Sequence, residues 1–114
     1  MSYVDGFVLA VPKANIEAYK KMARTGAAVW MDHGALSYVE CFGDDVPMGE
    51  LTSFPRAVQA KDDEVVVFSW IVYRSRAERD AVMEKVMSDP RLKGDMPFDG
   101  KRMIFGGFET IVEL

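Results

Sequence analysis

Between Asp63 and Asp89 the pattern of apolar and polar positions changes period, and the change divides a strand from a helix. D-E-V-V-V-F-S-W-I-V-Y-R is rich in β-branched and aromatic residues and predicts a strand over Glu64 to Arg74. It runs with almost no loop into S-R-A-E-R-D-A-V-M-E-K-V-M-S-D. There Val82, Met83, Val86 and Met87 recur three and four apart, predicting a helix over residues 76–88. Ser75 and Glu78 form an S-x-x-E capping box at its start, and Asp89-Pro90 stops it.

The rest of the chain repeats the theme. Tyr3 to Val11 reads as a strand ended by Pro12. Residues 13–33 follow as a helix, with Ile16, Tyr19, Met22, Ala23, Gly26, Ala27, Trp30 and His33 on one stripe and Lys13, Glu17, Lys20, Lys21 and Arg24 on the other side. Gly34 suits the residue just past the helix end. Leu36 to Gly43 is a second strand. The stretch from Gly43 to Asp63, with Pro47, Gly49 and Pro55, reads as one long irregular loop. A final strand from Arg102 to about Val112 is interrupted by Gly106-Gly107, where a bulge is expected. The order is βαββαβ, that of a ferredoxin-like α+β domain spanning residues 1–114, with both helices on one face of a four-stranded antiparallel sheet.

Side-chain parity assigns the faces. Val4, Gly6, Val8 and Ala10 align with Val39 and Cys41, with Val66, Phe68, Trp70 and Val72, and with Ile104, Gly106 and Phe108. That set carries no charge and is expected under the helices, with Cys41 an inert buried thiol. The opposite set holds Tyr3, Asp5, Phe7, Leu9, Tyr38, Glu40, Phe42, Val67, Ser69, Ile71, Tyr73, Met103, Phe105 and Glu109. It is too apolar for water and too polar for a plain core. Two such sheets packed face to face would cover it, giving a homodimeric α+β barrel with room inside for a small molecule.

Composition narrows the partners. The 114 residues carry a net charge of −4. An acidic balance with no basic stripe speaks against nucleic acid. Lys20, Lys21 and Arg24, and Arg74, Arg76 and Arg79, read as solvated helix faces. A single cysteine rules out an intrachain disulfide and fits a reducing compartment. The N-terminal apolar run has no basic lead and is broken by Asp5, so neither a signal peptide nor a membrane span is expected, and the expected location is the cytoplasm.

The βαββαβ order, the run V-F-S-W-I-V-Y-R-S-R-A-E-R-D and the closing M-P-F-D-G-K-R-M-I-F-G-G-F resemble the YbaA-like bacterial proteins, domain of unknown function 1428. The resemblance covers essentially the whole chain. It implies a cytoplasmic dimeric α+β barrel and carries no established activity or catalytic residue. Haem-degrading barrels of related fold use an Asn on the first strand and a His on the second helix. Neither is present here, since Asn15 lies at the start of the first helix, so no cofactor is expected.

Candidate chemistry rests on a few side chains. Asp5 and Glu40 would point into the barrel with Tyr38, Ser69 and Tyr73, either contacting a polar ligand or bonding to Arg102 and lysines across the dimer. His33 is the only histidine. It is either a general base or metal ligand near the rim, or a helix-terminal residue interacting with the dipole. No ligand-spaced motif supports a metal. Arg102 is an anion clamp or a solvated strand end. Two functions follow: a small-molecule-binding protein, with or without cofactor-independent catalysis, or a non-enzymatic dimeric module whose interior polar groups fix register.

Overall fold

The computed structural model describes residues 1–114. Strand β1 spans Tyr3–Pro12, helix α1 Ile16–Asp32, β2 Ser37–Phe42, helix α2 Phe54–Ala57, β3 Glu64–Tyr73, helix α3 Arg76–Met87 and β4 Ile104–Glu109. The sheet order is β2-β3-β1-β4, with every neighbouring pair antiparallel. This is an α+β protein with a four-stranded antiparallel sheet and three α-helices. None of its helices is long and apolar enough to cross a membrane.

Local sequence explains the boundaries. Pro12 precedes a short 3₁₀ turn over Lys13–Asn15, so α1 starts at Ile16, where its apolar stripe begins, three residues later than the expected start at residue 13. Asn15 does not cap it. Its side-chain amide donates instead to the Pro97 carbonyl at 3.0 Å, fastening the helix start to the segment before β4. At the other end Gly34 takes φ +116°, and the Ala35 N–H returns to the Trp30 carbonyl at 3.0 Å. Only glycine adopts that conformation at little cost. Ser75 Oγ accepts from the Glu78 N–H at 3.1 Å, the serine half of the predicted box.

Two local expectations fail. The loop after β2 contains α2, capped by Ser53 Oγ accepting from the Arg56 N–H at 3.1 Å, with Pro55 in its first turn. Serine followed by proline two residues on was a helix-start signal in the sequence. β4 is shorter than expected and carries no bulge. Gly106 pairs with Gly6, and Gly107 with Asp5, in unbroken register. The Phe108 ring lies over Gly6 and Gly106, 3.6 and 3.7 Å from where their Cβ atoms would be.

The faces of the sheet are reversed from the parity assignment. Both long helices cover the set that contains the carboxylates. Val29 of α1 and Val82 and Val86 of α3 pack with Ile71 and Tyr73. Tyr19 of α1 packs with Leu9, Val11 and Val67. The charge-free set faces away from these helices. Its end nearest α2 is covered, because Val58 and Ala60 pack on Val8, Ala10 and Val66. The rest is open: Phe68 is 44% exposed, Ile104 46% and Phe108 62%. Cys41, expected buried, is exposed. The reversal has a physical cause. A carboxylate can sit beneath a helix when that helix brings its own donor, and here both do.

Candidate functional site

Two hydrogen-bonded clusters occupy the layer between sheet and helices. The first is built on Glu40 of β2. One carboxylate oxygen accepts from the Tyr38 hydroxyl at 2.7 Å and the other from the Tyr19 hydroxyl, which descends from α1. Tyr38 stands two residues before Glu40, so strand alternation puts both on the same face. Gly26 of α1 makes room for the arrangement, since a Cβ there would meet the Tyr38 hydroxyl at 3.0 Å. Burial first, and then the neighbouring Glu40 carboxylate, push both phenols far above the ordinary tyrosine range. Both therefore remain protonated donors at any physiological pH.

The second cluster is built on Asp5 of β1. Arg79 of α3 donates to it at 2.7 Å and rests over the Tyr3 ring, 5.0 Å from its centroid. Tyr73 of β3 stands nearby. Burial and the Asp5 charge raise its phenol well above the ordinary range. Its hydroxyl accepts from Trp30 Nε1 at 3.0 Å. Arg79 is thus no solvated charge. Its side chain is only 20% exposed.

The sequence-predicted residues separate accordingly. Tyr38 and Glu40 belong to one cluster, Asp5 and Tyr73 to the other. Ser69 is buried between them, opposite Glu40 and Phe7 in register. All five lie beneath the helices. His33 is elsewhere, capping the end of α1, where its Nε2 meets Asp89 Oδ2 at 2.8 Å. Asp89 also accepts from the Arg91 backbone N–H, Nε and Nη2, and Arg91 reaches Asp32 at 2.8 Å. The imidazole therefore meets a carboxylate from beyond α3, while the His33 backbone N–H donates to the Val29 carbonyl of its own helix at 3.1 Å. Arg102 is likewise committed. It forks onto Glu64 through Nη1 and Nη2 at 2.8 and 2.7 Å and reaches Asp99 through Nε at 3.0 Å. That fork holds the Glu64 carboxyl down at about 2. With four of its five N–H groups on these partners and the Gln59 carbonyl, Arg102 is neither a free anion clamp nor a solvated strand end.

Sequence reasoning missed Tyr19 and Arg79. Tyr19 was visible on the apolar stripe of α1, but its polar end needs a partner when buried, and that requirement was the available signal. Nothing in the sequence distinguished Arg79 from Arg74 or Arg76 before the helix was docked.

The Glu40 cluster opens onto a cleft. About 300 Å³ of space lies between α1 and β2, lined by Tyr19, Lys20, Ala23, Arg24, Glu40, Cys41, Phe42 and Val67. Two rings stand on this lining, Tyr19 and Phe42, with centroids 6.2 Å apart. A carboxylate has about four acceptor positions and the two phenols use two of them. Glu40 therefore retains capacity to accept from a guest. A second depression of about 320 Å³ lies near the N-terminus, among Met1, Ser2, Tyr3, Ser75, Arg76, Gly107 and Glu109. Nowhere do three His, Cys, Asp or Glu side chains converge as a metal would need.

These features define a small α+β protein with both long helices on one sheet face, an apolar opposite face and a carboxylate–tyrosine cluster at the edge of a cleft. The chain belongs to the family described as "Protein of unknown function (DUF1428)", which residues 2–100 match. It is 54% identical over 116 aligned positions to the uncharacterised protein YbaA of Escherichia coli K12, with 99% of each chain covered. Uncharacterised YbaA proteins of Escherichia coli O157:H7 and of Shigella flexneri match to the same extent.

Proposed function

We propose that this protein is a cytoplasmic homodimer of ferredoxin-like subunits, joined through the open sheet face as a dimeric α+β barrel, and that it binds a small molecule in the cleft beside Glu40. The strand order and the placement of both long helices on one face support the architecture. The exposed Phe68, Ile104 and Phe108 support the pairing. They also move the ligand site. A barrel interior lined by that face would be a hydrophobic core, and the polar groups lie on the other side of the sheet.

One observation carries the binding reading: the carboxylate held by Tyr19 and Tyr38 forms part of the wall of a cleft. Its volume sits at the small end of the range for ligand pockets. The competing reading is a non-enzymatic dimeric module. It is favoured by the Asp5 cluster, in which Arg79 answers the buried carboxylate.

Native mass spectrometry of protein purified from a bacterial host tests both halves. A dimer carrying an added small mass that disappears in Glu40→Gln is the expected result. A bare dimer under every growth condition favours the module, and a monomer removes the barrel.

A further inference from the structure

We infer that the cleft takes a small organic acid, a carboxylate joined to a flat apolar body with a hydroxyl at its far end. This rests on the binding reading above and assigns the chemical class of the guest.

Lys20 and Arg24 are one turn apart on α1 and both border the cleft. Arg24 forms no ion pair, and Lys20 meets only the exposed Glu17, at 3.5 Å. Arg79, Arg91 and Arg102 meet carboxylates at 2.8 Å or less, while Arg56, Arg74 and Arg76 form no ion pair either, so what marks Lys20 and Arg24 is their place together on the lining of this cleft. Two under-partnered cations at one opening therefore suit an anion. The Lys20 ammonium also stands over the Phe42 ring, 6.0 Å from its centroid. The walls between are Ala23, Phe42, Val67 and the Tyr19 ring, which suit a flat apolar body. Glu40, on the same lining, can accept a further hydrogen bond, while Tyr19 and Tyr38 have already donated to it. A hydroxyl meets that need. A second carboxylate there would face Glu40 and be repelled.

The test is titration calorimetry of the purified protein with four probes: 4-hydroxyphenylacetate, phenylacetate, the neutral 4-hydroxyphenylacetamide and the cationic tyramine. The first should bind best, and its affinity should fall as salt rises. Lys20→Gln with Arg24→Gln should weaken it by about tenfold, because each substitution removes one solvent-exposed cation facing the carboxylate. Binding of the amide should stay unchanged. Glu40→Gln should remove the preference for the hydroxylated acid over phenylacetate. If tyramine or the amide binds as tightly as the acid, the class is wrong and the cleft stands. If no probe binds while circular dichroism shows intact protein, both this inference and the cleft reading fall.

Discussion

Replacing Phe68 with glutamate tests the reversed faces and the proposed dimer together. Phe68 lies on the face turned away from α1 and α3 and is 44% exposed. An aromatic side chain buries roughly 200 Å² when fully covered, so pairing two sheets would remove about 90 Å² more from water. At about 25 cal/mol per Å² that is roughly 2 kcal/mol per side chain. A two-fold interface counts it twice, about 4 kcal/mol or nearly a thousandfold in dissociation constant. The introduced carboxylate adds a desolvation cost in the same direction. Sedimentation equilibrium should therefore show Phe68→Glu as a folded monomer at micromolar concentration, where the parent should be a dimer. Ile71→Ala is the matched control on the opposite face. Ile71 is 3% exposed beneath the helices, so it should lose about 2–5 kcal/mol of stability with association weakened only through unfolding. A Phe68→Glu chain that stays dimeric, or one that unfolds as Ile71→Ala does, would refute the reasoning.

Ser75→Ala should lower unfolding free energy by about 1 kcal/mol with an unchanged denaturant slope, since Ser75 Oγ holds the first turn of α3; an unshifted urea midpoint would show the cap to be idle. Asp5→Asn should destabilise by about 2 kcal/mol, because it leaves Arg79 packed over Tyr3 with only the exposed Asp80 as a charged partner; thermal melts that match the parent would contradict this. Glu64 predicts an acid limb. Its folded value of about 2 lies below the unfolded value of about 4.3, so its contribution is complete above the unfolded value and is lost as pH falls towards the folded one. Glu64→Gln should flatten stability against pH over that window, and an unaltered slope would count against the Arg102 fork.

The elements were legible because each announces itself locally. The β-branched run over residues 64–73, the three-and-four spacing of Val82 and Val86 and the Ser75 cap all act within a few residues of themselves. The faces were not legible, because parity names two sets of side chains without saying which one a helix will cover. Absence of charge looked like the mark of the helix side. In the structure Asp5 and Glu40 lie under helices because Arg79 and Tyr19 arrive with them, and that pairing exists only after docking. The same holds for the site. Tyr38 and Glu40 are two apart on a strand and could be read together. Tyr19 joins them across 21 positions of chain, and Arg102 finds Glu64 across 38. Gly106-Gly107 misled for a related reason: the pair leaves space for Phe108 and Tyr3 rather than breaking the strand.

Gly26 bears on how relatives of this chain can diverge. A glycine inside a helix gives up about 0.5–1 kcal/mol against alanine, so drift towards a larger residue is favoured by the helix itself. It is opposed only by the Tyr38 hydroxyl, 3.0 Å from where the first added carbon would stand. The residue at this one position therefore serves as a marker across homologous sequences. Where it remains glycine, the phenol can keep its seat on the Glu40 carboxylate. Where it has grown, the phenol must shift by a few tenths of an ångström, and a different guest, or none, is to be expected in the cleft.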